Sequence, residues 1–273
     1  MNHQYWGMKR DPFSDGTPDR LLTSTLHEEA VARCEYLVEQ RRLCGVVVGP
    51  EGSGKSDILR MILSGPFVGP LTPAVLLDLT GLDGSDMLRR IAIDLGLSDR
   101  LAHGDAPWEA VNDAISGLRE CGGSLVLLLD HLERVSHSAL MVVERLLSEA
   151  AVHRSATVLC TVAAPLTPSL NSFLRRYGEL KIEVAPLNVQ QTGRYLEDAL
   201  RSGGRRNPVF EIDAVSLIQE LTGGRPRDIE RLTRLALLAG QVEGATVIDQ
   251  KTVAAAAREL PSGDTIREVA SAR

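Results

Sequence analysis

A lysine and a hydroxyl stand together at the end of Gly49-Pro50-Glu51-Gly52-Ser53-Gly54-Lys55-Ser56, a run with the spacing G-x-x-x-x-G-K-S. Glycines in such a run let backbone N–H groups curl around an anion with no Cβ in the way. The Lys55 ammonium can then reach the β- and γ-phosphates of a nucleotide, and the Ser56 hydroxyl can ligate Mg²⁺. Pro50, Glu51, Ser53 and Asp57 lie within or just behind the run, and with Gly49, Gly52 and Gly54 they complete the expected phosphate-binding set. A short β-branched segment, Val46–Val48, leads into the run, and Ile58, Leu59, Met61 and Ile62 follow at helical spacing. That is the strand, loop and helix start a phosphate loop requires, and the helix N-terminus adds partial positive charge. A glycine-rich turn before an ordinary helix is the competing reading, and this context disfavours it. The chain binds a nucleoside triphosphate, or descends from proteins that did.

A phosphate loop also needs a carboxylate at the end of a neighbouring strand to hold Mg²⁺ through water, and Asp130, closing the apolar run Leu125–Leu129, is the expected residue. Other chemistry is weakly represented. The six histidines (His3, His27, His103, His131, His137, His153) show no zinc spacing with cysteine, and His131, Glu133 and His137 lack H-E-x-x-H order. No G-x-S-x-G is present.

The elements that must position these groups follow from pattern. Strands are expected over Ala74–Leu79, Ser124–Leu129, Thr157–Val162 and Leu180–Val184, with helices between them. Ser85 is the expected N-cap of the helix that ends near Gly96, Pro107 opens another, and further helices cover Ala139–Ala150 and Leu170–Arg176. The alternation argues an α/β fold, a parallel sheet sandwiched by helices, with LVLLL a central strand buried on both sides. After Pro186 the pattern is helical only: Val189–Ser202, Ile212–Leu221, Pro226–Ala239 and Asp249–Glu259, with Gly203, Gly223 and Gly240 as expected stops. Before the phosphate loop, Thr25 and Glu28 suit a capping box for a helix facing inward through Ala30, Val31, Cys34, Leu37 and Val38. The expected division is an arm over residues 1–24, an α/β domain over 25–186, a helical lid over 187–261 and a polar tail over 262–273. Tyr5, Trp6 and Phe13 are three aromatics in an arm otherwise polar and turn-rich, and they must pack on something.

The chain has 273 residues, 44% of them hydrophobic and 24% charged, as an ordinary soluble globular protein has. Its net charge of −6 offers no polybasic footprint for nucleic acid or anionic lipid. The four cysteines are far apart without C-x-x-C spacing and read as buried free thiols. No run of 18 uncharged apolar residues and no leader h-region occur, so a cytoplasmic protein without direct membrane insertion is expected.

An α/β core fused to a helical C-terminal part resembles the AAA+ ATPases, and within them the general secretion pathway protein A (ExeA-like) group, itself similar to the transposition ATPases. The resemblance runs along nearly the whole chain: Trp6-Gly7-Met8-Lys9-Arg10-Asp11-Pro12-Phe13, Thr25–Arg33, Gly223-Gly224-Arg225-Pro226-Arg227, and the Ala-rich Thr252–Leu260. It implies ATP with Mg²⁺ at the junction of two subdomains. It implies that Pro12, Phe13 and His27 cover the adenine base, although Phe13 could equally staple the arm to the core. It implies that Arg227 reaches the γ-phosphate as a second sensor, with a solvated surface arginine as the plain alternative. It implies a homo-oligomer in which Arg175 or Arg176 enters the neighbour's site; a mere surface pair is as good a reading. Two features depart from the group. Where members carry Asp-Glu, Asp130 is followed by His131, and the next carboxylate is Glu133. The first-sensor stretch Thr161-Val162-Ala163-Ala164 is largely apolar, so only Thr161 could serve.

Three functions compete on this reading. One is an ATPase, ATP to ADP and phosphate, that drives or regulates assembly of a protein partner of secretion or envelope type. Longer members carry a membrane span and a cell-wall-binding module after this core, neither of which is expected here, so an envelope role would run through a partner. The second is a nucleotide switch that hydrolyses little, favoured by the missing Glu. The third is a DNA-associated ATPase, disfavoured because residues 187–260 balance ten Lys/Arg against ten Asp/Glu and only Arg225, Arg227, Arg231 and Arg234 cluster. His131 could orient the attacking water, or Glu133 could be the base if the backbone stays extended there, and hydrolysis is expected to be slow.

Overall fold

The computed structural model describes residues 3–13, 25–163 and 166–260. Five strands, β1 (Cys44–Val48), β2 (Ala74–Asp78), β3 (Leu125–Asp130), β4 (Ala156–Val162) and β5 (Leu180–Glu183), form one sheet in the order β2-β3-β4-β1-β5. Every pairing is parallel. Parallel neighbours need long crossovers, and helices supply them. In chain order these are α1 (Thr25–Glu39), α2 (Lys55–Leu63), α3 (Gly84–Asp94), α4 (Ser98–Ala102), α5 (Pro107–Glu120), α6 (His137–His153) and α7 (Pro168–Tyr177). β3 and β4 are buried along their whole length, as strands covered on both faces must be. Leu125, Leu127 and Leu129 of β3 and Val158, Cys160 and Val162 of β4 join Met87, Ile91, Val111, Val143, Leu147 and Phe173 in one core. The remaining helices are α8 (Val189–Ser202), α9 (Ile212–Thr222), α10 (Pro226–Glu243) and α11 (Gln250–Arg258).

The chain divides into two compact units. One holds residues 29–49 and 55–184, the other 1–28, 50–54 and 185–273. In the second unit the arm packs on the helices. Trp6 is buried and donates from Nε1 to Leu237 O at 3.1 Å, with Tyr5 edge-on to its ring at 5.0 Å. The Asn188 and Gln191 side chains close a capping box on α8. Gly223 and Gly224 end α9 and set the start of α10 at Pro226, both with positive φ (59° and 72°). Only glycine fits at 224, because a Cβ there would lie 1.9 Å from Leu187 O.

Several expectations are corrected. The N-cap of α3 is Asp83, not Ser85; its carboxylate accepts from Asp86 N at 2.8 Å, and the helix begins at Gly84, where a Cβ would lie 2.8 Å from Ser138 O. Gly240 does not stop α10. It sits inside the helix because a Cβ there would lie 2.3 Å from Ile248 Cδ1 and 3.2 Å from the Trp6 ring; the stop is Gly244, at φ 71°. Neither α4 nor the 3₁₀ turn Leu132–Arg134 was legible beforehand. The Thr25 side chain of the expected capping box, the turns at Asp15-Gly16 and Thr17-Pro18, Ala164 and the tail 262–273 lie outside the described residues. Among the described residues no helix is long and apolar enough to cross a membrane, and no cluster of His, Cys, Asp and Glu is arranged for a metal.

Candidate nucleotide-binding site

The loop after β1 is built as an anion cradle. Gly52 and Gly54 take φ values of 78° and 91°, which L side chains resist, and Ser53 N turns back to Pro50 O at 3.3 Å. α2 starts at Lys55 and buries Ile58, Leu59, Met61 and Ile62. Lys55 is itself buried and donates from Nζ to Gly49 O at 3.0 Å. Ser56 is half-buried in the first turn, and Asp57 pairs with Arg60 at 2.6 Å. The Ser53 hydroxyl is buried with no hydrogen-bond partner among the described residues, in a loop curled as a phosphate would need. These residues fit a bound triphosphate.

Residues 50–54 group with the helical unit, and the contacts there are specific. Arg227 N donates to Gly52 O at 3.2 Å, and the Arg227 guanidinium lies 3.4 Å from Glu51 Oε1. The buried His27 ring approaches Ser53 O through Nε2 at 2.9 Å. Arg227 and His27 are thus brought to the loop. Phe13 is held differently: it is buried, its N–H donates to Asp11 Oδ1 at 2.8 Å, its carbonyl accepts from Arg234, and its ring lies 5.8 Å from that guanidinium. These contacts tie Phe13 to Asp11 and Arg234.

In the sheet unit, β3 delivers Asp130 to the end of the sheet. Thr161 on β4 donates to Asp130 Oδ1 at 2.5 Å, and His131 N points to Thr161 Oγ1 at 3.0 Å and to Asp130 Oδ1 at 3.1 Å. Asp130 Oδ2 lies 3.7 Å from His131 Nε2 and could hold a water of a hydrated Mg²⁺. The backbone does not stay extended past Asp130, correcting the geometry on which a role for Glu133 was conditioned. His131 is left-handed (φ 59°, ψ 48°) and Leu132–Arg134 is a 3₁₀ turn. The turn nevertheless brings Glu133 Oε1 within 3.2 Å of His131 Nδ1, while Glu133 Oε2 accepts from Ala163 N at 3.0 Å.

Asp78 escaped the sequence reading. It ends β2 in register with Asp130, and the signal was that A-V-L-L-D and L-V-L-L-L-D end alike. Burial pushes its carboxyl up, but hydrogen bonds from Thr80 and the charges of His131 and Arg134 outweigh that and hold it below the usual range. Arg175 and Arg176 lie exposed in the last turn of α7. Arg175 reaches Ser172 Oγ at 3.5 Å, and Arg176 sits 5.1 Å from the Tyr177 ring.

The comparisons with known proteins agree with this architecture. No family model matches the chain. It is 25% identical over 270 residues to the general secretion pathway protein A of Aeromonas hydrophila, covering 95% of this chain but 48% of that protein, about half its length. That similarity bears out the resemblance read from the sequence. Among solved structures, Cdc6p from Pyrobaculum aerophilum superposes with a TM-score of 0.68 at 17% identity, over 96% of this chain and 72% of that one. The RuvB Holliday junction branch migration motor of Thermotoga maritima gives 0.60 at 15%, over 88% and 70%. The ORC2 protein of Aeropyrum pernix, in its ADP form, gives 0.60 at 14%, over 94% and 72%. The fold is that of the P-loop AAA+ proteins.

Proposed function

We propose that the chain is a Mg²⁺-dependent ATPase of the AAA+ type that turns over slowly and works as a cytoplasmic homo-oligomer on a protein partner. The observation that carries this is the loop itself: left-handed Gly52 and Gly54, a buried Lys55 and a helix starting at that lysine. Lys55 would neutralise the β- and γ-phosphates, Ser56 and Asp130 would hold Mg²⁺, and the metal, when bound, draws charge from the phosphate oxygens. Arg227, its backbone on Gly52 and its guanidinium on Glu51, would read the terminal phosphate. His27 would hold the loop through Ser53 O.

Likeness to a secretion-pathway protein supports a partner of secretion or envelope type. The ADP-bound form of a solved neighbour supports adenine nucleotide as the ligand. A second reading, a switch with little hydrolysis, is favoured by one observation: His131 stands where the resembled group has Glu. A DNA-associated role has less behind it. Of the clustered arginines, Arg225 pairs with Asp228 at 2.6 Å and Arg234 with Asp11 at 3.5 Å, which leaves less charge for phosphodiesters.

Calorimetric titration of ATP with and without Mg²⁺, followed by phosphate release at saturating nucleotide, tests the proposal. Binding with slow release is expected. Binding without release would leave the switch, and no binding would remove both.

A further inference from the structure

Resting on the ATPase reading above, we infer that Glu51 is a specificity-determining residue: it competes with the terminal phosphate of the nucleotide for the Arg227 guanidinium, and so sets how strongly the site prefers ATP to ADP. Glu51 is the one carboxylate within Gly49–Ser56. Its charge opposes the phosphates that the loop is curled to hold. The arrangement around it supplies a use for that charge.

The backbone sets Glu51 and Arg227 side by side. α10 opens at Pro226, so Arg227 lies in its first turn, where N–H groups have no acceptor within the helix. Arg227 N finds one in Gly52 O at 3.2 Å. A Cβ on Gly52 would lie 3.1 Å from Arg227 Cβ, so the glycine permits the close approach. The guanidinium then lies 3.4 Å from Glu51, through Nη1 and Oε1. Arg225, two residues earlier, is instead engaged by Asp228 at 2.6 Å.

This contact can be exchanged. Charge-assisted N–H···O bonds are usually about 2.7–2.9 Å long, and the pair between Arg227 and Glu51 is looser. Both side chains are 62% exposed, so water and salt screen them. Glu51 engages the guanidinium through a single nitrogen, whereas a terminal phosphate offers more charge and matches the planar fork of donors. Arg227 would not keep both partners close, because that brings carboxylate and phosphate charges together. Binding ATP therefore costs the pair with Glu51. ADP ends one phosphate short and leaves the pair in place. Glu51 thereby lowers the preference for ATP.

Dissociation constants of AMP-PNP and ADP, both with Mg²⁺, test this on the full chain and on Glu51→Gln, Arg227→Ala and the double variant. Arg227→Ala keeps the N–H and the Cβ that meet Gly52. Glu51→Gln should raise the ratio of AMP-PNP to ADP affinity about two- to fivefold, the range an exposed ion pair allows. In the Arg227→Ala background that rise should be absent. An equal rise without Arg227 would show Glu51 acting by plain repulsion, and a lowered ratio would show it orienting the arginine toward the phosphate. Either result overturns the inference, as does an unchanged ratio.

A second readout needs no variant. In crystal structures of the wild type, the Arg227 guanidinium should lie on Glu51 with ADP bound and off it with AMP-PNP bound; the same pairing in both overturns the inference. Wild-type protein that binds neither nucleotide would remove the ATPase reading and this inference with it. Binding of both, with a ratio indifferent to Glu51, would remove this inference alone.

Discussion

The Lys55 side chain folds back so that Nζ donates to Gly49 O at 3.0 Å. Its replacement by alanine removes the loop's only side-chain cation. ATP affinity should then fall tenfold or more, at least about 1.4 kcal/mol, in a calorimetric titration; unchanged affinity would mean the loop no longer serves nucleotide. The thiols allow a second check on the same scale. Burial, reinforced by the charge of Glu35, pushes Cys34 up to about 12, and a hydrogen bond to Cys44 together with burial raises Cys160 as well. The thiolate is the nucleophile, and Cys121 alone of the four is exposed. Iodoacetamide at about pH 8, below those raised values, should therefore add one adduct to the folded protein and four after unfolding, counted by intact mass. More than one adduct on the native protein would contradict the packing of β1, β4 and α1.

At the scale of elements, two helical glycines should respond oppositely to the same change. Gly117 in α5 is exposed, and a Cβ there meets nothing within 4 Å. Alanine should stabilise the protein there by about 0.5–1 kcal/mol, the usual gain in a helix interior. Gly240 in α10 is buried, with Ile248 and Trp6 standing where the new methyl would go. Both neighbours are themselves buried, so neither can yield cheaply. The clash should exceed the propensity gain, giving a net loss on the order of 1–3 kcal/mol. Thermal unfolding measures both, at roughly 2–4 °C per kcal/mol for a chain of this size. A stabilised Gly240→Ala would mean the arm does not pack on α10 as described.

For the molecule as a whole, the open matter is whether one copy completes another's site. Arg175 and Arg176 are exposed at the end of α7, in local contact with Ser172 and the Tyr177 ring respectively. If either enters a neighbouring subunit, it would stabilise charge building on the transferred phosphoryl group. ATPase activity per subunit should then rise with protein concentration, and replacing both arginines by alanine should flatten that rise while ATP binding is kept. A protein that stays monomeric with ATP at every concentration would leave them a surface pair.

What could be read from the chain was what neighbours in sequence decide. Val46–Val48 followed by the glycine run and the periodic Ile58–Ile62 specify strand, loop and helix within a few residues, so the phosphate loop and its helix were legible. Asp130 was legible because a wholly apolar strand ends on it, and the alternation of strands and helices carried the parallel sheet. The arm's aromatics announced that they must pack, without saying where. The rest was decided by contacts between residues distant in sequence. The order β2-β3-β4-β1-β5 depends on which strands pair, so the like endings of the two strands could not by themselves make Asp78 the neighbour of Asp130. Gly240 looked like a helix stop because the Trp6 and Ile248 side chains that require its missing Cβ come from elsewhere in the chain. Glu133 was read as a base on an extended backbone because its partner Ala163 lies at the end of another strand, and the left-handed turn at His131 is held by Thr161. Pattern reports what a residue and its close neighbours prefer; the contacts that hold Glu133 and require Gly240 exist only once the chain has folded.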